Sequence, residues 1–474
     1  MSVGQKMKLN EAGVTLIDCD HKTPTAQTSG YPYVGIPQLK NGHIRLDGAR
    51  LISEEDFVLW TKKAKPKHND VILSRRCNPG ESAYVPEGLE IALGQNLVLL
   101  RSDGSVIYPP FLRWLVQGNE WWKQVNKFLN VGAVFNSLKC KDIPNFNLTI
   151  PSLNEQKRIT DILSSLDNKI ELNNKVNQTL ESIAQALFKS WFIDFDPVRA
   201  KIVAKLEGAD PEIAAMCAIS GKSQEELKQM SKDDFAELQA TAELFPDELV
   251  ESELGEVPRG WDTVNIGSLI DLTIGGDWGK EVKDEKYSVQ ARVIRGTDIP
   301  NIKCGSEEQV PIRFIESKKL KNRELTLGDI VIEVSGGSPK QPTGRTIYIS
   351  NEILFRLKDP VIPASFCRLL RPKSQELAVF LAIYLQIIYA EGKTWLYQNQ
   401  STGISNFQTT VFLEKEILSL PSLSLLKKFE KITVPMINKI DSSERLYLTN
   451  IRDTLLPKLL SGEVEVSDLQ GEVT

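Results

Sequence analysis

The sequence has few of the side chains that bind metals or form disulfides. It contains three histidines, and its six cysteines lie far apart with no C-x-x-C pair. This spacing excludes the common zinc sites and a disulfide framework. Cysteines that are widely spaced in this way are typical of reduced thiols inside the cell, so we expect a cytoplasmic protein.

Long apolar runs are also missing. The first eleven residues are polar and contain no apolar core of signal-peptide length. The longest apolar run, Leu377–Ala390, has fourteen residues and is interrupted by Gln386. It is too short to span a bilayer and predicts a buried helix in a soluble protein. Glycine (30) and proline (24) have ordinary frequencies in 474 residues, which excludes collagen-like and disordered chains.

No complete catalytic motif is present either. Tyr108-Pro109-Pro110-Phe111 is similar to the catalytic tetrapeptide of amino-methyltransferases, but those enzymes have Asp, Asn or Ser at the place of Tyr108. A glycine-rich loop of the F-x-G-x-G type is absent, and a proline pair that begins a helix is the favoured interpretation. The segment 275–280 lacks the spacing and the final Ser or Thr of a P-loop. We therefore expect no catalytic residue and no metal in this chain.

What the sequence does contain is one plan used twice. Pro151-Ser152-Leu153 begins a long helical pattern, and Pro421-Ser422-Leu423 begins another 270 residues later. Upstream, Asp70-Val71-Ile72 matches Asp329-Ile330-Val331 at an offset of 259, and each follows a Lys-rich segment. Such self-similarity indicates a repeat. The predicted order is globular unit, helix, globular unit, helix.

The helical patterns are amphipathic. The first covers forty residues, Asn154–Ile193, with apolar side chains at three- and four-residue steps and Asn173 as a polar interruption. In the second, Pro435 is expected to kink the helix, Pro457 to kink or end it, and Gly462 to terminate it. We predict that the two helices pair antiparallel, although oligomerisation is an alternative use of such helices. The residues predicted to pair the helices are Ile162, Leu166, Ile170, Leu180, Leu187, Trp191, Ile440, Ile451 and Leu455.

These patterns predict an α+β fold. Two globular α/β units in a pseudo-two-fold arrangement would be separated by two long antiparallel helices that form a coiled coil. The predicted segments are a first globular unit (1–150), a central long helix (151–195), an acidic helical connector (196–257), a second globular unit (258–420), and a C-terminal long helix and tail (421–474).

The net charge of −5 is unevenly distributed. Residues 1–150 carry 18 basic and 14 acidic side chains, and residues 286–373 carry 16 and 9. The acid is concentrated in 151–250, with 11 basic and 18 acidic side chains. Each globular unit therefore has a basic section that suits phosphate contacts, although a solvated basic face fits the same counts.

A polar loop follows each Asp-led strand, at 74–80 and at 335–341, and a further polar cluster lies at 398–402. Small residues let a backbone approach a ligand closely, and Arg, Lys, Asn and Gln read base edges in the major groove. Taken alone, such loops are more often ordinary turns, and their recurrence at matched places in both repeats makes binding an about equal alternative. The predicted DNA contacts are Arg75, Arg76, Asn78, Ser335, Gly336, Gly337, Ser338, Lys340, Gln341 and Arg345.

Several runs of residues carry a family resemblance. The strongest are PSLNEQKRI at 151–159, LDNKIELN at 166–173 and ALFKSWFIDFDPV at 186–198. Weaker ones are YPYV at 31–34, GQN at 94–96, the segment 251–261 and LLPKLLSGE at 455–463. Over essentially its whole length, the chain resembles the specificity subunit of type I restriction-modification enzymes.

The resemblance implies a DNA-reading role. Each globular unit would be a target recognition domain that reads one half of a split DNA sequence, and the helices would place the half-sites about one helical turn apart. Because the two halves have diverged, the target is expected to be asymmetric. The helix residues named above would also dock partner subunits.

The resemblance further implies which partners take part. Two methyltransferase subunits would bind S-adenosylmethionine and methylate adenine, and restriction subunits using ATP and Mg would join them. This chain would bind no cofactor and would not be an enzyme. The alternatives are a self-contained DNA adenine methyltransferase using Tyr108–Phe111, and a coiled-coil scaffold without a DNA role.

Overall fold

The computed structural model describes residues 4–20, 23–132, 135–336, 341–401 and 404–464. The chain divides into two compact units. Unit 1 comprises Met1–Glu171 with Tyr447–Thr474, and unit 2 comprises Leu172–Leu446. The five segments expected from the sequence were bounded by predicted helices and globular stretches, whereas the two units are bounded by contacts within the fold. The five segments therefore stay predictions.

Unit 1 is built on a four-stranded antiparallel sheet. Its strands, in spatial order, are Val14–Asp18, Leu97–Ser102, Val71–Ser74 and Ser82–Tyr84. A three-stranded sheet has the order Arg50–Ile52, Tyr31–Val34, Ala92–Leu93, with an antiparallel pair followed by a parallel pair. The remaining strand pairs are Gln5–Lys8 with Asn147–Ile150 and Leu39–Lys40 with His43–Ile44. The helices within this unit are Glu54–Thr61, Leu112–Leu115 and Asn119–Phe128, with short 3-10 turns at Ile36–Gln38, Pro109–Phe111 and Ile143–Asn145.

Unit 2 repeats this topology. Its four-stranded sheet has the order Ile270–Gly275, Cys367–Pro372, Ile330–Glu333, Thr346–Tyr348. Its three-stranded sheet has the order Ile312–Ile315, Val289–Ile294, Val361–Pro363, again antiparallel and then parallel. The strand pair Asp262–Asn265 with Ile417–Leu420 matches the pair that closes unit 1. Unit 2 adds a sheet of Ser335–Gly336, Ile404–Phe407 and Gln398–Ser401. Its helices after the connector are Ile299–Lys303, Ser317–Arg323, Asn351–Leu357, Gln375–Ala390 and Thr409–Lys415, with 3-10 turns at Ile266–Leu269, Gly296–Asp298 and Lys393–Tyr397.

The same side-chain contacts recur in both units. Asp70 accepts two hydrogen bonds from Arg101, at 2.7 and 2.6 Å, just before the strand Val71–Ser74. Asp329 accepts two from Arg371, both at 2.7 Å, before the matching strand. Each carboxylate also accepts a hydrogen bond, 2.7 Å long, from the backbone N–H three residues earlier. These contacts confirm the predicted equivalence of Asp70 and Asp329.

The long helices begin where the sequence predicts. Leu153–Phe192 and Leu423–Ile440 each follow a serine, Ser152 or Ser422, whose hydroxyl accepts a hydrogen bond from the first turn. Such a serine satisfies one of the backbone N–H groups that a helix start leaves unpaired.

The prolines do not end the second helix. Leu423–Ile440 continues through Pro435, and the interruption lies at 441–443, where Asp441 caps the helix. The next helix, Glu444–Ser461, continues through Pro457, so the expectation that Pro457 could end the helix is wrong. The chain leaves it at Gly462, whose φ of +71° suits glycine, and this terminator is confirmed.

The helices pair antiparallel within each unit. In unit 2, Asn177 Nδ2 donates to the Ile440 carbonyl at 3.1 Å, and Arg445 donates to Asn174 Oδ1 at 3.0 Å. In unit 1, Arg452 donates to Asp167 at 2.8 Å, and the Leu459 side chain lies in the same core as the early turns of the long helix. The α+β class, the long helix and the antiparallel pairing are therefore confirmed.

Aromatic side chains of the long helix lie in the unit 2 core. Phe188, Trp191 and Phe192 contact Phe380 and Phe429, with neighbouring ring centroids 5.0 to 6.0 Å apart. The apolar run predicted as a buried helix is the helix Gln375–Ala390 of this core. The acidic connector is helical and ends in a hairpin. Its elements are Asp196–Glu207, Pro211–Ser220, Gln224–Lys228, Lys232–Ala242, and the strands Leu249–Ser252 and Gly255–Pro258.

No helix among the described residues combines the length and apolarity that a membrane span requires. All six cysteines are free thiols. Burial raises the pKa of Cys19 to about 11 and that of Cys367 to about 12.

Candidate nucleic-acid interface

The predicted loop of unit 1 is a tight, exposed turn. It follows the buried strand Val71–Ser74, and the Ser74 hydroxyl donates to the Arg76 carbonyl at 2.8 Å. Arg76 and Asn78 are exposed, whereas Arg75 is half-buried. The Asn78 amide donates to Glu81 at 3.1 Å. The structure therefore presents two of the three predicted side chains of this loop to solvent at the end of a strand.

The predicted loop of unit 2 is described only in part. Ser335 and Gly336 form a short strand, and the Ser335 hydroxyl contacts Asn406 on the neighbouring strand. Gln341 is exposed and its amide donates to the Tyr389 hydroxyl at 3.2 Å. The other predicted members of this loop lie outside the described residues, namely Gly337, Ser338 and Lys340.

The structure brings the second polar cluster to this loop. The strand Gln398–Ser401 pairs with Ile404–Phe407, which in turn pairs with Ser335–Gly336. Gln398 Oε1 accepts hydrogen bonds from the Thr343 N–H at 2.9 Å and from its hydroxyl at 3.0 Å. Two polar segments sixty residues apart in the sequence thus share one small sheet.

Arg345 is mostly buried, with 15% of its side chain exposed. Its Nη1 donates to the Gly296 carbonyl at 3.2 Å, and its Nε lies 4.0 Å from Glu333 Oε2. The predicted contact between Arg345 and DNA stays a prediction, and the structure places this guanidinium inside a pocket rather than on an open loop.

Basic side chains precede both loops. In unit 2, Lys319 pairs with Asp277 at 2.6 Å and Arg323 donates to the Gly275 carbonyl at 2.9 Å. Lysines exposed in these segments are Lys62, Lys63, Lys65 and Lys67 in unit 1, and Lys318 and Lys321 in unit 2. The basic sections counted in the sequence therefore include side chains that are exposed to solvent.

The residues predicted to pair the helices differ in burial. Ile170 and Trp191 are buried, and Ile451 is exposed. The remaining six are half-buried, namely Ile162, Leu166, Leu180, Leu187, Ile440 and Leu455.

Sequence reasoning missed an ion cluster around Asp167. This carboxylate, 1% exposed, contacts Arg113, accepts from Arg452 at 2.8 Å, and lies 3.2 Å from His43 Nε2. Burial alone would raise the pKa of Asp167, but the hydrogen bond with His43 and the charge of Arg113 outweigh it and lower the pKa. The sequence signal was slight, since the partners lie 124, 54 and 285 residues away.

The tetrapeptide of the methyltransferase alternative is part of the unit 1 core. Pro109–Phe111 forms a 3-10 turn that leads into Leu112–Leu115, and Phe111 is fully buried. The Tyr108 N–H donates to Gln156 Oε1 at 2.7 Å. The proline pair begins a helical turn, as the favoured interpretation predicts.

Comparison with known proteins identifies the kind of fold. Residues 18–182 match the model of the type I restriction modification DNA specificity domain. Among solved structures, the chain is similar to the type I restriction-modification system S subunit from M. genitalium, with a TM-score of 0.53 and 15% identity over 96% of this chain and 95% of that one. The chain thus shares the fold of that S subunit, with two repeated α/β units and long helices.

Curated relatives narrow the assignment. The chain is 32% identical over 434 residues to the type I restriction enzyme HindI specificity subunit of Haemophilus influenzae, covering 86% of this chain and 89% of the relative. It is 26% identical over 431 residues to the MjaIX specificity subunit of Methanocaldococcus jannaschii, covering 89% and 83%. This chain belongs to the family of type I restriction enzyme specificity subunits.

Proposed function

We propose that this chain reads an asymmetric, bipartite DNA target, one half-site per unit, within a type I restriction-modification complex. One observation carries the proposal. The two units share a topology, yet the residues after the matching strands differ, since Arg75-Arg76 follows Val71–Ser74 in unit 1 and Val334-Ser335 follows Ile330–Glu333 in unit 2. Because side-chain donors and acceptors select bases, different loops select different half-sites.

A domain exchange tests this proposal. Residues 258–420 are replaced by the matching segment of another family member, and methylated adenines are mapped in a host that supplies the partner subunits. We expect half of the methylated motif to change and the other half to stay. A matched exchange of residues 1–150 should change the opposite half. A motif that survives both exchanges would contradict the proposal.

We further propose that the long helix docks a methyltransferase subunit through an exposed stripe. Leu172, Thr179, Ile183 and Ala186 are exposed in unit 2 and lie on one helix face, since steps of seven and eleven residues are close to whole turns. Three of these four side chains are apolar, and exposed apolar side chains on one helix face are typical of an interface.

Charge substitutions test the docking. Leu172→Glu with Ile183→Glu should abolish co-purification with the methyltransferase subunit, since it places two carboxylates in the apolar contact. Gln178→Glu adds charge at an exposed position one step around the helix and serves as the control. Equal co-purification of both variants would exclude this surface.

The proposal assigns the chemistry to partner subunits. These would bind S-adenosylmethionine, ATP and Mg, and this chain would act in the cytoplasm without catalysing a step. The alternative, a methyltransferase that uses Tyr108–Phe111, would need these residues at a substrate. Phe111 is fully buried in the core, which supports the assignment to partner subunits. A purified chain that alone transferred a methyl group to DNA would contradict this assignment.

A further inference from the structure

A cavity of about 660 Å³ in unit 2 has no role in the fold described so far. We call it the Glu333 pocket, because Glu333, the last residue of the strand Ile330–Glu333, lies in its wall. Its lining also includes Trp278, Arg295, Arg345 and Phe366. It therefore combines aromatic faces, cations and one carboxylate, and it lies beside the predicted recognition loop.

The carboxylate of Glu333 is buried and incompletely satisfied. Its side chain is 5% exposed, and Oε2 accepts no hydrogen bond from any described residue. Arg345 Nε, 4.0 Å away, is too far for a hydrogen bond, and Arg345 Nη1 donates to the Gly296 carbonyl instead. Burial raises the pKa of Glu333, against the charge of Arg345. A buried acceptor left in this state destabilises a fold, so a donor beyond the described residues accounts for its presence.

Two glycines make room for this carboxylate. A side chain at Gly296 would place its Cβ 2.4 Å from Glu333 Oε1, and one at Gly336 would come within 2.8 Å. Gly336 also has a φ of +148°, which disfavours other residues. The backbone around the pocket is therefore shaped to hold a glutamate.

Unit 1 shows that the fold does not need this carboxylate. The residue matching Glu333 at the offset of 259 is Ser74, at the end of the matching strand Val71–Ser74. Its hydroxyl donates to the Arg76 carbonyl at 2.8 Å within its own loop. A serine satisfied in one repeat and a glutamate whose Oε2 accepts from no described residue in the other indicate a difference in ligand rather than in folding.

The wall of the pocket suits a flat ring. Phe366 is 67% exposed, and Trp278 is partly exposed with the Arg313 guanidinium 4.6 Å from its ring centroid. Exposed aromatic faces stack on nucleobases. The cavity is within the size range of small-molecule sites and exceeds the volume of one base.

We propose that the Glu333 pocket binds a cytosine of the half-site read by unit 2, whose N4 amino group donates to the Glu333 carboxylate. This inference rests on the proposed function. Cytosine presents a single donor in the major groove, whereas guanine and thymine present acceptors there and adenine places an acceptor beside its donor. A lone carboxylate acceptor therefore selects cytosine, either paired in the groove or extruded into the pocket.

The test uses the complete complex. Methylated adenines are mapped for the wild type and for Glu333→Gln, with Glu414→Gln, an exposed glutamate of unit 2, as the charge-matched control. In Glu333→Gln we expect one cytosine position in the half-site of unit 2 to become degenerate, while the half-site of unit 1 is kept. Duplexes with each base at that position should differ in affinity by roughly ten- to a hundredfold for wild type and much less for the variant.

Different outcomes would contradict the cytosine pocket and the proposed DNA-reading function. A wild-type motif without cytosine in that half-site, or an unchanged motif in Glu333→Gln, overturns the inference alone. Methylation that does not depend on the chain overturns the proposed function. If Glu333→Gln does not fold, Phe366→Ala at the exposed wall provides the same readout and should weaken binding of the cytosine duplex selectively. A 2-aminopurine neighbour that brightens on binding indicates an extruded cytosine, and unchanged fluorescence indicates one read in the groove.

Discussion

At the scale of the residue, Asp167 joins three segments of unit 1. It holds His43 and Arg113 of the globular part and Arg452 of the helix Glu444–Ser461. None of these partners is near it in the sequence, and no local pattern marks an aspartate on a helix as the centre of an ion cluster. A local sequence pattern identifies residues whose contacts are close in the sequence. The contacts of Asp167 are formed only in the tertiary fold.

Replacing this carboxylate should destabilise unit 1. In Asp167→Asn, the nearly buried Arg113 loses its anion while Arg452 keeps its ion pair with Asp453, and the uncompensated charge should cost about 3–5 kcal/mol. Chemical denaturation of the full chain measures the loss. Asp161→Asn, an exposed acid on the same helix, is the control and should change stability by less than about 0.5 kcal/mol. Equal effects would show that the cluster contributes nothing.

The same group predicts a pH dependence. Because the pKa of Asp167 is lower in the folded chain than in the unfolded one, its contribution is complete above about pH 4 and is lost as the pH falls further. The difference in melting temperature between wild type and Asp167→Asn should therefore be constant near neutrality and shrink progressively as the pH falls below about 4. A difference that grew on acidification would contradict the assigned direction.

At the scale of the element, the starts of the long helices follow from short-range chemistry. A serine before Leu153 and before Leu423 caps each helix, and both starts are predictable from the sequence for that reason. The break at 441–443 is not predictable in the same way. Pro435 carries the strongest local signal against a helix, yet the helix core that buries Phe429 and Thr433 continues through it.

The cap itself is testable. Ser422→Ala should cost about 0.5–2 kcal/mol, because the Leu425 N–H loses its side-chain acceptor, and Ser422→Gly should cost only a few tenths. Ser424→Ala, two residues further on and exposed, should be neutral or slightly stabilising. The free energies of unfolding measure all three, and a larger loss for Ser424→Ala would contradict the cap.

At the scale of the whole molecule, the duplication was predictable from the sequence. Matching residues of the two copies are separated by a constant offset over each short run. The run around Asp70 and Asp329 holds one ion pair in each unit, Asp70 with Arg101 and Asp329 with Arg371. The environment of the predicted recognition residues was less predictable. Arg76 and Asn78 are exposed as expected, but the burial of Arg345 and the state of Glu333 depend on strands brought together from distant parts of the chain.

The charge distribution predicts how the molecule binds DNA. Affinity for a target duplex should fall steeply with salt, because phosphate contacts release counterions. Arg76→Ala should weaken binding by about 1–3 kcal/mol, since this exposed side chain lies in the predicted loop. Fluorescence anisotropy across a salt series measures both, with Lys141→Ala as an exposed control. If Arg76→Ala bound the duplex with the wild-type affinity at every salt concentration, Arg76 would not be part of the interface.

Unit 1 is assembled from two separate stretches of chain, and the second follows the whole of unit 2. During translation, unit 2 has all of its contacts available once Leu446 has left the ribosome. Unit 1 must wait for residues 447–461, because Arg452 and Leu459 complete the ion cluster and the core that its first 171 residues begin. The first part to be synthesised is therefore the last to complete its contacts, and until then part of its apolar core stays uncovered.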